Sequence, residues 1–455
     1  MDNNIEHRVV LALVMFTSFI TPFIGAAVNL ALPVIGREFD LNAVGLSWVT
    51  MAYLISSAVF LVPFGKLADI TGRKRIFFIG NVVLALSSLM AAFVDSGVLL
   101  IVFRALQGVG SSMMFATSIA LITSVYPTNM RGRAIGLNVT AVYVGLSAAP
   151  ILGGMLIEAW GWRSLFYVPA IMGIPAVAIA ISTIKGEWAE ARCQRFDMLS
   201  SVVFVLSMFA LMYGFSQLPK SYAILITFLG IAGMAVFIRW QIRSDVPLFN
   251  VNLFVGNRLF ALSNLAALIN YATTFAITFI LSLYLQYIKG LSPRGAGMLL
   301  VIQPLAMALV ASWSGALSDR YNPGKIASVG MGIIAIGLAL LTPIGLQTST
   351  FYIGSVLLLV GIGFGLFSSP NTNAIMGSVD RQHMGLASGT VATMRMVGQM
   401  FSMGIASMIL HIYMGKNSIT PAYFKPFIWV AGTTLAVFAA LSLFGIWASL
   451  ARNKE

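Results

Sequence analysis

Charge is what this sequence lacks most. Asp, Glu, Lys and Arg make up 9% of its 455 residues, against about 25% in soluble domains. So few charges cannot cover a soluble domain of this length, and 59% of the chain is hydrophobic; the outer surface is expected to face lipid. Acids are scarcer than bases, 14 against 27, for a net charge of +13. The bases sit in short loops between apolar runs, with no basic tail or aromatic–basic module, which argues against a nucleic-acid partner. The single cysteine, Cys193, excludes a disulfide framework within the chain. The three histidines, His7, His383 and His411, are scattered and show no metal-ligand spacing. Neither a phosphate-cradling loop nor a nucleophile elbow is present. Enzyme chemistry, a nucleotide-driven pump, a bound metal and a cofactor are therefore not expected.

Long apolar runs are abundant. A membrane span needs about 20 mostly apolar residues. Such runs fall near 9–34, 44–65, 76–94, 98–126, 135–157, 164–184, 198–217, 221–240, 259–288, 295–317, 326–345, 351–377, 384–414 and 426–449. The first is too long for a cleavable leader and lacks its small-residue cleavage pattern, so it reads as an uncleaved span. An even number of spans puts both termini on one side. Arg37, Arg163, Lys220, Lys289, Arg294, Lys416 and Lys425 then fall in the loops opposite the termini, and Arg104 and Arg395 fall within spans. All the other basic residues lie on the terminal side, which predicts cytoplasmic termini. The expected fold is an all-α polytopic membrane protein. It has an N-terminal six-helix half (1–184), a linker with two additional helices (185–257) and a C-terminal six-helix half (258–455).

Two loops carry an internal repeat. The second and third spans are joined by Gly65-Lys66-Leu67-Ala68-Asp69-Ile70-Thr71-Gly72-Arg73-Lys74-Arg75, and the tenth and eleventh by Gly315-Ala316-Leu317-Ser318-Asp319-Arg320. Both read Gly-x-Leu-x-Asp followed by a base. Glycines permit close helix approach, an aspartate can neutralise a helix N-terminus, and the bases can reach across to the other half. Such loops are expected to close the cytoplasmic face in one state and release it in another; the plainer alternative is a tight, positively charged turn. The first copy resembles the cytoplasmic motif of the major facilitator superfamily, with Ile70 where an arginine is common. The extra central pair of spans resembles the 14-helix drug/proton antiporter branch. So do Trp48-Val49-Thr50-Met51-Ala52-Tyr53-Leu54, Gly161-Trp162-Arg163-Ser164-Leu165-Phe166 and Tyr284-Leu285-Gln286 with Gly290-Leu291-Ser292-Pro293.

That resemblance assigns expectations to particular residues. Gly145, Pro150, Gly153 and Gly154 match the antiporter motif of the fifth span, with Ala149 replacing one glycine; the plainer reading is a packing face. Arg104, Gln107 and Gly108 match an Arg-x-x-Gln-Gly motif linked in the family to proton coupling. The structural alternative has Arg104 bonding first-span carbonyls, such as that of Ser18 freed by Pro22. Arg395 occupies a similar place in the thirteenth span, with Gln399 on its face. The branch usually carries a first-span aspartate, and Ile24 stands in its position. No other acid lies near mid-membrane. A cavity with two arginines and no acid should repel cations, so a neutral, zwitterionic or anionic amphipathic substrate is expected. Further cavity candidates are Asn29, Tyr53, Asn270, Tyr271, Gln303, Asn371 and Asn373, with interhelical hydrogen bonding as the alternative.

The resemblance implies a cell-membrane exporter of small amphipathic, drug-like compounds. It would work by alternating access and proton antiport, with the proton gradient and the bilayer as its partners and no obligate protein partner. A metabolite or organic-anion exporter, or an uptake carrier, is the alternative within transport. A transporter-like receptor or lipid-handling protein is the alternative outside it. Cysteines placed one per loop in a Cys193→Ser background, treated with an impermeant thiol reagent on intact cells, should label in strict alternation along the chain. Two consecutive loops labelled from the same side would overturn the span assignment.

Overall fold

In hydrocarbon every backbone N–H and C=O must find its partner within the protein, so an apolar run has little choice but helix. The computed structural model describes residues 2–183, 186–189, 191, 194–244, 247–248, 251–318, 320–379 and 384–452. Lys185, Arg192, Cys193, Asp319, Arg381, His383 and Lys454 lie outside the described residues. The helices are α1 (Asp2–Glu38), α2 (Ala43–Thr71), α3 (Arg73–Ala92), α4 (Gly97–Val125), α5 (Thr128–Trp160) and α6 (Ser164–Thr183). They continue with α7 (Met198–Gln217), α8 (Ser221–Arg243), the short α9 (Asn252–Gly256) and α10 (Arg258–Leu283), which runs into a wide turn over Tyr284–Ile288. The last are α11 (Pro293–Leu300), α12 (Ile302–Ser318), α13 (Pro323–Leu341), α14 (Thr350–Gly377), α15 (Met384–Met414) and α16 (Phe424–Ala451).

Among the described residues, 13 segments are long and apolar enough to cross a bilayer. They match the expected runs apart from the sixth, which forms the apolar helix α6; its stretch Ser164–Gly173 is shorter than a span. Helices α11 and α12 make one such segment, Pro293–Ser318. The break at Val301 has a local cause: Pro304 has no N–H to give to the carbonyl of Leu300.

Within α1–α6, α1 packs along α5, α2 along α4, and α3 against α4 and α6. Within α10–α16, α10 packs along α15, α12 along α14, and α13 against α14 and α16. Two of these contacts use the same device. A Cβ on Gly80 would stand 2.9 Å from the carbonyl of Gly110, and one on Gly330 would stand 2.6 Å from that of Gly363. Only glycine lets α3 meet α4, and α13 meet α14, backbone to backbone. The α7–α8 hairpin lies outside both groups. Its α7 packs on α2 and on α15, with the Trp48 and Tyr213 rings 5.7 Å apart.

The hydrogen bonds between the two groups cluster at one face. Ser282 Oγ donates to the Asn29 carbonyl at 2.7 Å and Gln286 Nε2 to that of Leu30 at 3.0 Å. Late α1 thus lies beside late α10, so both helices begin at one face, here the terminal face, and end at the far face. Ser47 and Ser407 hydroxyls pair at 2.9 Å, and Ala43 N donates to the Asn417 carbonyl at 3.3 Å. Ser147 Oγ donates to the Pro304 carbonyl at 3.2 Å, and Ser292 Oγ to Glu158 at 3.4 Å. Along this seam Gly154 sits on the backbone of Pro293, and Gly297 sits against the Pro150 carbonyl too closely to admit a Cβ. Nearer the terminal face the groups meet at the side-chain contact of Tyr143 of α5 with Tyr271 of α10, whereas the hydrogen bonds and glycine contacts above hold them together at the far face.

Enlarging Gly297 should open that seal. In a Cys193→Ser background, Gly297→Val with a reporter cysteine in place of Ser47 should react with a small thiol reagent several-fold faster than the same reporter with Gly297 intact. Overpacking of this kind typically costs ~1–3 kcal/mol. An unchanged rate would mean that the α5–α11 contact does not hold the far face shut.

Candidate functional site

Above the seam, toward the terminal face, the two groups line a narrow, partly open cleft. One side is lined by Pro22 and Gly25 of α1, Tyr53 and Leu54 of α2, Phe115 of α4, and Val142 and Leu146 of α5. The other is lined by Phe275 of α10 and by Arg395, Met396 and Gln399 of α15. Helical spacing sets these pairs: Val142 and Leu146 are one turn apart, as are Arg395 and Gln399. The Arg395 guanidinium lies over the Phe115 ring, 5.3 Å from its centroid, and so bridges the two groups.

Beside the cleft, Tyr53 covers a second cation. Arg104 is fully buried, with its guanidinium 4.5 Å from the Tyr53 ring centroid. Its Nε donates to the Val49 carbonyl at 3.1 Å and its Nη1 to Gln107 Oε1 at 2.8 Å. Gln107 Nε2 continues the chain to Ser88 Oγ at 2.7 Å. The Tyr53 hydroxyl accepts from Ser111 Oγ at 3.0 Å and donates to the Thr21 carbonyl at 3.1 Å. The backbone partner of Arg104 is thus on α2, not the Ser18 carbonyl of α1, and Arg104 does not line the cleft. Ile24 is fully buried.

Of the other candidates, Tyr53 and Gln399 line the cleft and the rest lie elsewhere. Asn29 Oδ1 accepts from Thr50 Oγ1 at 2.8 Å. Asn270 is fully buried and neither amide atom has a hydrogen-bond partner. The Tyr271 ring meets Phe364 edge-on at 5.6 Å. Gln303 offers its carbonyl to the close approach of Gly361. Asn373 Nδ2 donates to Ser318 Oγ at 2.6 Å. Asn371 belongs to a cluster on Arg452, which the sequence reading counted as a loop charge. Arg452 is 6% exposed and donates to Asn371 Oδ1 at 2.5 Å, Ser263 Oγ at 2.9 Å, Ser449 Oγ at 3.1 Å and the Gly324 carbonyl at 3.3 Å. It ties together α10, α13, α14 and the end of α16. Burial draws its pKa down to about 10, which leaves it charged at neutral pH. A base one residue past an apolar helix was the only sequence signal for it.

The antiporter residues lie on α5 along two contacts. Gly145 abuts the Phe19 carbonyl of α1 and Gly153 abuts Ala27, while Pro150 and Gly154 meet α11 at the far-face seam. The first hinge lies at the terminal face. Gly72 has φ +124° and is at once the end of α2 and the start of α3. Arg73 Nε pairs with Asp69 at 2.8 Å, and its Nη1 donates to Ser124 Oγ of α4 at 2.7 Å. No side chain within the hinge caps α3. Glu187, from the segment between α6 and α7, accepts from Lys74 N at 3.0 Å. The Trp188 carbonyl accepts from Arg73 N at 2.9 Å, the Asp69 carbonyl accepts from Ala191 N at 2.9 Å, and Lys66 Nζ reaches Gln194 at 2.7 Å. The hinge bases were expected to reach the other half in one state of the molecule; the contacts named here run to α4 and the following connection. Gly65 and Arg75 take no part in these contacts, and Arg75 is exposed. In the second copy, Gly315 approaches Ser369 and Arg320 is exposed. There Asn322 caps α13, accepting from Gly324 N at 2.8 Å.

The family model described as Major Facilitator Superfamily matches residues 14–403 and 263–454. A transporter of Escherichia coli named YebQ, itself uncharacterised, is 31% identical over 91% of this chain and 90% of its own length. Riboflavin transporter RibZ of Clostridioides difficile is 28% identical over 88% and 86%. Multidrug resistance protein Stp of Mycobacterium tuberculosis is 28% identical over 86% and 73%. A bacterial homologue of the human lysosomal transporter Spinster, solved in an inward-facing and unoccupied conformation, shares the fold. Its TM-score is 0.70 at 14% identity, over 98% of this chain and 97% of that one.

Glu187→Ala should free the N-terminus of α3 and loosen the hinge. The expected loss is about 1 kcal/mol, as for removal of a helix N-cap, read as faster proteolysis or hydrogen exchange at 66–75. Glu187→Asp should recover part of it. Exchange unchanged in Glu187→Ala would mean the carboxylate does not hold this corner.

Proposed function

Because this chain belongs to the Major Facilitator Superfamily and is a multi-pass membrane transporter, we propose that it exports small amphipathic compounds by alternating access, coupled to proton entry. The observation that carries this reading is the cleft between α1–α6 and α10–α16, held together on the far side by hydrogen bonds and glycine contacts. With cytoplasmic termini, as the charge bias supports, this is a cleft that loads from the cell interior.

We read the neighbour pattern of α1–α6, repeated in α10–α16, as two related halves that rock about the cleft. With α6 counted as a span, the total is fourteen, and α7 and α8 are the additional pair. The Asp69–Arg73 hinge would exchange its present partners for the second half when the terminal face closes. Arg104 is the proposed coupling residue. Its bonds run from Val49 of α2 through Gln107 to Ser88 of α3, directly behind the Tyr53 wall of the cleft. A change of charge or hydration there would be felt by both the wall and the bundle. The relative named as a riboflavin transporter supports a second reading, a carrier dedicated to one metabolite.

Reconstituted protein under an imposed pH gradient tests these points. Several drug-like compounds should move against their gradients, and Arg104→Ala should abolish pH-driven flux while the protein still inserts. Undiminished flux would make Arg104 scaffolding. Flux of one metabolite only would favour the dedicated carrier.

A further inference from the structure

We infer that the cleft selects planar aromatic anions, and that Arg395 is the residue that selects them; this rests on the transporter reading above and names its substrate class. Three observations converge on it. Arg395 is the one ionisable side chain of formal charge among the residues lining the cleft. Among the described residues no acid lies there to neutralise it.

The second observation is the state of its donors. A guanidinium carries five N–H groups in a planar fork that matches a carboxylate. Among the described residues none accepts a hydrogen bond from Arg395, and its Nε is buried without a partner. Arg104 and Arg452 each leave one nitrogen unpartnered as well, but their other nitrogens are engaged by protein oxygens, whereas Arg395 has no protein acceptor among the described residues and lines the cleft. Buried polar groups that native structures leave unpaired call for an explanation. A guanidinium at the wall of an otherwise apolar cleft finds one in a ligand that brings the missing acceptors.

The third is the surrounding surface. Phe115 and Phe275 face the cleft from opposite sides, and Tyr53 adds a third ring. The Phe115 ring lies under the guanidinium and holds the fork against the wall. A flat aromatic body would lie against these rings at the cleft's open side, with its acid on Arg395. Gln399, one helical turn further along α15, can hydrogen-bond a polar substituent. A cation of the same shape would stand beside a like charge with no acid to offset it.

Matched naphthalene probes separate the effects of charge and shape. Binding of 2-naphthoate, naphthalene-2-carboxamide and 2-naphthyltrimethylammonium to the purified full chain is measured by calorimetry, for wild type, Arg395→Gln and Arg395→Lys. Wild type should bind the naphthoate about tenfold more tightly than the carboxamide, as expected of a charge-assisted pair, and the ammonium most weakly. Arg395→Gln should bring naphthoate to the level of the carboxamide and leave the carboxamide unchanged, and Arg395→Lys should keep part of the preference. A merely structural role would weaken all three probes together. The inference is overturned if wild type binds the ammonium as tightly as the naphthoate, binds none of the three, or keeps its preference in Arg395→Gln. Flux of the drug panel under a pH gradient is read separately. Flux without anion preference sinks the substrate class alone, whereas anion-selective binding without any flux sinks the transporter reading and leaves the ligand class standing.

Discussion

The structure depends on close contact between glycine and backbone. Lipid tails are as apolar as leucine side chains, so nothing like the hydrophobic effect presses these helices together; they adhere where their surfaces fit. Gly80 on Gly110 and Gly330 on Gly363 join helices within each group, and Gly154 and Gly297 join the groups to each other. The last two differ in consequence. Contacts inside a group set its shape, whereas those between groups decide which face is shut.

Scarcity of charge gives each buried cation unusual weight. Arg104, Arg395 and Arg452 are held without a carboxylate. Arg104 and Arg452 bond neutral oxygens, in a helix junction and at a helix end, and each keeps one nitrogen without a partner. Neutral acceptors cancel little of a guanidinium's charge, and Arg395 is the one of the three that lines the cleft.

Much of this was legible in the sequence, because each span is a statement about solvent. An apolar run bounded by polar residues has to be a helix in lipid, and the observed ends fall within several residues of the expected ones. The Gly65–Arg75 segment was legible as a tight turn, though not that Gly72 is its corner. Partners were not. Helical periodicity tells which residues share a face, but not which helix that face meets. Arg104, Gln107 and Ser111 do share a stripe, yet it packs on α2 and α3 rather than lining the cleft. Asn371 and Asn373 were candidates for a solute site because they are polar within a span; both serve the packing of the terminal face. The cleft itself is walled mainly by Leu54, Phe115, Val142, Leu146, Phe275 and Met396. Their types are so common in this chain that no pattern could single them out. Arg452 was hidden for the opposite reason: a base at a helix end is ordinary, and only the docking of α16 onto the start of α13 buries it.

The α7–α8 hairpin gives the molecule two unlike flanks. Helix α7 covers the line where α2 meets α15. On the other flank, Leu152 and Met155 of α5 and Met298 and Leu305 beside them are exposed along the line where α5 meets α11 and α12. Acyl chains can therefore reach one flank of the boundary between the two groups and not the other, where a protein gasket takes their place. Membrane thickness and tail packing would act on this machine from one side only.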